Sequence, residues 1–477
     1  MAIASTCVWE VRIADGNDAN GGGFNAARAG ATKTETDNYT YGASAAVIPF
    51  TDLSIYATTA NRIHSAGRDF VAADIGHVIR ITAGTGWNIG FYEITTVSGT
   101  GATNYALVTG ATNVTTNTSP GGAGSGNLGG ALASPGMAGG AAVSVNSVWI
   151  QSGTYVISST TPNVSTGVVA TNTGAAATKS IWEGYQTTRG DLGTPPVFQV
   201  AAAGVTSVTV VAVATANSFV RNITVDGQSK SAITGFYLSD SYSGLAYCYA
   251  LSCTVYGIRQ TTGAIFCCRA SGCSGTAAFG GTAAPNAFGC EAYDNTVIGF
   301  GFTSGTLAYC LAYRNRGAGV AGFNLGLNLL HCVAYYNEGD GFNLDNANGC
   351  FVLADCLAIS NGDEGFGTSA VRSSPHLINC GGYDNASGNY STTNLLARSV
   401  TGFLTLGGNP FVSVSTSTAG AANFALNNLS GAGKACRAAG WPGTYASGTT
   451  RGYVDVGGAH HLDAGTQTII VPQRFFQ

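Results

Sequence analysis

Charge is what this 477-residue chain has least of: Asp, Glu, Lys and Arg make up 9% of it, against about a quarter in ordinary globular domains. Twenty Lys and Arg stand against 24 Asp and Glu, and no basic run occurs, so the electrostatic footprint that nucleic acid needs is missing. No apolar stretch reaches the roughly 18 residues of a membrane span. The opening MAIASTCVWEVR offers neither a basic leader nor an apolar core, so no cleaved export signal is expected. Nucleophile-elbow, zinc-protease and phosphate-loop signatures are absent, as is the Gly-x-y period of collagen. His64, His77, His331, His376, His460 and His461 fall at no metal or catalytic spacing. No cofactor and no metal are expected.

What is present is glycine, 69 residues of it, with 45% hydrophobic residues, a mixture suited to a large core of short strands and tight turns. Thirteen cysteines are too many for chance and odd in number, in a chain too long for a small disulfide scaffold. Their spacing explains them. Cys248, Cys268, Cys290, Cys310, Cys332, Cys356 and Cys380 are separated by 20, 22, 20, 22, 24 and 24 residues, the period of a stacked repeat. Two residues on come Ala250, Ala270, Ala292, Ala312, Ala334, Ala358 and Gly382. That alternation is a strand with one face inward.

Five residues after the cysteine stand Cys253, Cys273, Asn295, Asn315, Asn337, Asn361 and Asn385. This polar column is assigned to a turn, where Asn tolerates left-handed backbone. Gly257, Gly299, Gly319, Gly341 and Gly365 follow at nine residues, then Ile258, Ala278, Phe300, Val320, Phe342, Phe366 and Tyr390 as a bulky inward column. A leucine framework and any ten-residue helical pattern are both lacking, so the repeat reads as a right-handed parallel β-helix. Its seven best coils would rise roughly 30 Å at about 4.8 Å each. VWIQSGTYVI (148–157), SIWEGY (180–185), VTSVTVVAV (205–213) and FVRNITVDG (219–227) continue the stack without the cysteine. The expected organisation is an N-terminal β-rich attachment domain over 1–125, a β-helix over 130–400 and a C-terminal cap over 401–477.

Three stretches, CVWEVRIADGNDANGGGF, GGALASPGMAGGAAVSVNSVWIQSGTYVI and the late GYVDVGG, resemble a group of phage and phage-derived parallel β-helix proteins. The resemblance implies a pectate-lyase-like superhelix and a virion exterior protein of tail spike or tail fibre type. It also implies a homotrimer, partnered with other virion proteins and with host surface glycan, and made in the host cytoplasm.

Pectate-lyase-like folds include polysaccharide lyases and hydrolases, so stacked carboxylates matter. Asp340 and Glu364 each lie eight residues after a column cysteine, which would set them about 5 Å apart on neighbouring coils, the separation of a retaining glycosidase pair. Both also sit in turns, EGDG and NGDEG, where acids serve local hydrogen bonding. Arg316 and Glu338 are placed for an ion pair between coils, and Glu338, Asp340, Asn343 and Asp345 for a calcium ion, although no calcium-loop pattern matches. The cysteine column reads as buried packing, because zinc needs four converging ligands and a ladder gives a line. Tyr293, Tyr313, Tyr335 and Tyr383 form one column, available for sugar stacking, a subunit contact or sheet packing. The functional readings are therefore a virion protein for attachment or reinforcement, a polysaccharide-degrading enzyme, and a bacterial surface adhesin.

Overall fold

The computed structural model describes residues 3–4, 6–25, 27, 47–116, 120–142, 146–171, 174, 179–201, 205–281, 286–317, 321–325, 328–345, 351–369, 375–395, 400–413, 423–426, 432 and 436. Among the described residues almost all of the regular structure is β, apart from the short helix Pro135–Ala141, the helical residues Ala432 and Cys436, and single turns of tighter helix. The chain is a right-handed parallel β-helix with an antiparallel barrel, and it divides into two compact units, Met1–Tyr249 and Ala250–Gln477.

In the first unit the barrel is closed by Ile48–Ile55, Arg62–His64, Tyr105–Gly110, Gly90–Ser98, Val78–Ala83 and Gly124–Leu128. Phe50, Leu53, Ile79, Ile81, Tyr92, Ile94, Val108 and Leu128 fill it. The barrel is an insertion, not a leading segment. The strand before it, Cys7–Val11, pairs in parallel with Ser147–Gln151, which pairs in turn with Ser180–Tyr185. The parallel stack thus begins at residue 7 rather than near 130. Gly23–Asn25 runs antiparallel on the outer side of Cys7–Val11, which covers an edge that would otherwise be open to other chains.

In the second unit the coils up to Phe366–Gly367 have three strands each, as in Asn286–Phe288, Glu291–Tyr293 and Ile298–Phe302, and those after it two among the described residues, with strands paired in register with their counterparts in the next coil. The column cysteine stands at the first corner. The residue just before it has left-handed backbone in coil after coil: Cys267, Gly289, Tyr309, His331, Asp355 and Asn379. The residue four after it does so too: Gly272, Asp294, Arg314, Tyr336, Ser360 and Asp384. The turn conformation expected of the Asn column therefore belongs to the residue preceding each Asn.

The asparagines point inward and are buried. Each side-chain amide donates to the side-chain oxygen of the next: Asn295 to Asn315 at 2.8 Å, Asn315 to Asn337 at 2.9 Å, Asn337 to Asn361 at 3.0 Å and Asn361 to Asn385 at 2.8 Å. The same amides donate to the carbonyls of Ala270, Ala292, Ala312 and Ala334 in the preceding coils. The glycine column follows from this ladder. A Cβ on Gly341 would lie 2.8 Å from Asn361 Nδ2 and 2.7 Å from the Gly365 carbonyl oxygen, closer than any side chain allows.

The bulky column differs from expectation in two coils. Phe279, not Ala278, pairs with Ile258 and Phe300, and Phe323 takes the place expected of Val320. The coil opened by Cys310 is three residues longer before this strand, so Gly322 replaces Gly319 against the next asparagine; Gly319 and Val320 lie outside the described residues. The corrected column is a stack of phenylalanines. Phe279–Phe300, Phe300–Phe323, Phe323–Phe342 and Phe342–Phe366 have ring centroids 4.8, 4.9, 4.7 and 4.8 Å apart and nearly parallel planes.

From the C-terminal region, Phe411–Ser413 pairs antiparallel with Asn423–Leu426, while GYVDVGG and the expected closing strand QTIIVPQRFF lie outside the described residues. Replacing Phe323 with Ala is expected to cost about 3–5 kcal/mol, read from the denaturant midpoint. Phe288→Ala, where the side chain is 47% exposed, should cost under about 0.5 kcal/mol.

Candidate functional site

The two carboxylates singled out by the repeat come together through main chain. Asp340 Oδ1 accepts the Glu364 N–H at 3.1 Å, Oδ2 accepts from Asn343 Nδ2 at 3.1 Å, and the carboxyl group lies against Gly367. Glu364 in turn accepts the Thr368 N–H at 3.4 Å and a hydrogen bond from Ser391. Burial, joined by the charges of Asp363 and Glu364, pushes the Asp340 carboxyl up to about 6, and burial also raises Glu364. Both acids thus hold successive coils in register.

The other acids are similarly engaged. Glu338 accepts the Gly317 N–H, and Asp345 accepts from Ser369 N and Thr368 Oγ1. Those hydrogen bonds outweigh burial and hold Asp345 below the usual range. Among the described residues no three His, Cys, Asp or Glu side chains converge on a metal-sized site. His460 and His461 lie outside the described residues.

The tyrosine column is largely covered by its own chain. Tyr293 and Tyr313 stack at 5.0 Å, Tyr313 and Tyr335 pack on Phe424, and Tyr335 also meets Phe411. Tyr383 lies at the margin of this cluster, half-buried. The cysteine column is buried throughout, Cys248 in the first unit and the other six in the second.

Two constellations were not anticipated from the sequence. The first is the corner before the cysteines. The Tyr309 ring stacks on His331 at 4.9 Å, His331 Nε2 stands 3.8 Å from Asp355 Oδ2, and Asp355 meets Asn379. Burial raises the Asp355 carboxyl to about 6, and its Oδ1 has no hydrogen-bond partner among the described residues. A histidine beside a carboxylate is an acid–base pair in form, and Phe288 and Leu330 are exposed on the adjoining strands. The dipeptides Tyr309-Cys310, His331-Cys332 and Asp355-Cys356 carried the signal, once the left-handed corner is known to precede the cysteine.

The second lies in the first unit. Glu10, Trp149, Glu183 and Arg221 occupy one column over four paired strands. Glu10 accepts from Arg189 Nε at 2.9 Å and from the Tyr185 hydroxyl, and Glu183 pairs with Arg221. Burial raises Glu10 to about 7 against the pull of Arg189 and Tyr185. The Trp-Glu dipeptide repeated in CVWEV and SIWEGY was its signal. This network ties the N-terminal strand to the coils that follow it.

No protein-family model matches the sequence, and no curated protein does. Among solved structures, pectate lyase Pel9A is similar at 19% identity over 66% of this chain and 88% of its own, with a TM-score of 0.47. The A-module of the Azotobacter vinelandii mannuronan C-5 epimerase AlgE4 matches at 15% identity over 50% of this chain and 70% of its own, TM-score 0.37. The tailspike protein gp49 from Pseudomonas phage LKA1 matches at 12% identity over 77% of this chain and 64% of its own, TM-score 0.26. No residue role passes from these proteins to this chain.

The raised Asp340 carboxyl gives a pH test. A carboxyl whose folded value exceeds its unfolded one disfavours the folded state as it ionises, so the penalty grows from about pH 4 to above about 6. Asp340→Asn keeps the acceptor for the Glu364 N–H and removes the charge. Its thermal midpoint relative to the parent should therefore rise between pH 4 and pH 8. A difference that is flat with pH would assign the carboxyl no such penalty.

Proposed function

We propose that this chain is a phage virion protein of the tail spike or tail fibre type, assembled as a homotrimer on the particle exterior for attachment or reinforcement. The observation that carries this reading is the unbroken run of side-chain ladders. Asn295 to Asn385 and Phe279 to Phe366 lock successive coils without a gap, which is how a stiff rod is built. The stretches that resemble phage β-helix proteins lend support, and two of them now have structural roles. CVWEV supplies the first parallel strand, and ASPGMAGGA forms the short helix capped by Ser134.

Purified full-length protein should show a mass three times its 48.1 kDa chain in light scattering. Mass spectrometry should find it in particles of the phage that encodes it. A stable monomer missing from such particles would contradict the reading.

A polysaccharide-degrading enzyme is the second reading, favoured by the Tyr309–His331–Asp355 line rather than by Asp340 and Glu364. Under the first reading the protein releases no new chain ends from host surface polysaccharide. If it does, His331→Ala should abolish the release and Glu364→Gln should leave it intact; the opposite pattern would return the site to the Asp340–Glu364 turn.

A further inference from the structure

The cysteine column has a property that packing alone does not use. Cys268, Cys290, Cys310, Cys332, Cys356 and Cys380 are fully buried free thiols, one per coil. The residue after each of them pairs in register with its counterpart in the next coil, Arg269 with Glu291, Glu291 with Leu311, Leu311 with Val333, Val333 with Leu357 and Leu357 with Gly381, so neighbouring thiols stand one coil apart. Residues at matched positions of paired strands repeat at about 4.8 Å. A metal–thiolate bond is about 2.3 Å long, so an ion held by two opposed thiolates spans about 4.6 Å between sulfurs. A line of thiols defeats a tetrahedral ion and suits a two-coordinate one, and thiolates select soft metals.

Charge narrows the choice further. Burial drives the thiols of Cys290, Cys310 and Cys356 well above their ordinary value, so a net negative charge left in this core is costly. A monovalent ion between two thiolates would leave one. A divalent ion would not.

We propose that adjacent rungs of the cysteine column form linear two-coordinate sites for a soft divalent cation, mercuric ion being the probe. Two S–H bonds break, both protons pass to water, and two S–Hg bonds form. The product is a neutral bis-thiolate, and nothing is oxidised or reduced.

Two triple variants of the full chain separate this from general thiol reactivity. Cys332→Ala, Cys356→Ala and Cys380→Ala together leave three consecutive rungs. Cys268→Ala, Cys310→Ala and Cys356→Ala together leave three rungs with none adjacent, about 9.6 Å apart. Both are made, like the parent they are compared with, with Cys248→Ala, because Cys248 precedes Cys268 in the column, and the remaining cysteines then contribute equally in both. After titration with mercuric chloride and gel filtration, native mass spectrometry should show one more bound ion in the consecutive variant than in the alternating one, and three more in the parent. Equal uptake by the two variants would overturn the proposal. Should either variant fail to fold by circular dichroism, X-ray absorption on the loaded parent decides. Two sulfur neighbours at about 2.3 Å support it, and three or four neighbours, or nitrogen, overturn it.

Discussion

The fold of the second unit depends on one interaction, the hydrogen bond from each inward asparagine amide to the asparagine of the next coil. An Asn side chain has two donors and an acceptor oxygen with two lone pairs, and buried polar groups left unpaired cost about 1–3 kcal/mol each. In this ladder every capacity of Asn315, Asn337 and Asn361 is used. The amide reaches one coil back and one coil forward, and the oxygen takes the side-chain and main-chain N–H of its neighbour. A slip of one residue in any coil would break four such bonds, so the ladder sets the register that strand pairing alone leaves loose.

The other columns are consequences. Glycine stands where the ladder approaches the main chain, as at Gly341 and Gly365. The phenylalanines of consecutive coils face one another because the asparagines hold the coils in phase. Left-handed corners on either side of the second strand turn the chain sharply enough to close each coil, and they do so with residues as large as Tyr309, His331 and Arg314. Such residues lose conformational freedom to sit there, and several gain partners along the axis. Arg314 is fully buried and doubly bonded to Asp294, at 2.8 and 2.7 Å.

The sequence made the repeat legible because short inward residues recur at fixed positions, and Cys, Ala and Asn stand where that spacing put them. It misplaced the bulky column at Ala278 and Val320, because spacing was counted from the cysteine while coils absorb extra residues in their turns. The N-terminal strand was missed for another reason: a barrel of some 80 residues separates Cys7–Val11 from Ser147–Gln151, and a period cannot be seen across an insertion. Asp340 and Glu364 were found by register, and their hydrogen bonds show what register cannot, namely that they serve the turns. The His331–Asp355 contact lay one residue from the column already in view, on a corner whose geometry the sequence does not state.

The central claim is that the asparagines act as one ladder rather than as separate buried amides, and a double-mutant cycle on Asn315→Ala and Asn337→Ala tests it most directly. Measured by equilibrium denaturation, the two changes should couple by about 1 kcal/mol or more, because the second removes a bond the first has already broken. Additive losses would mean that each asparagine contributes on its own, and would contradict the account.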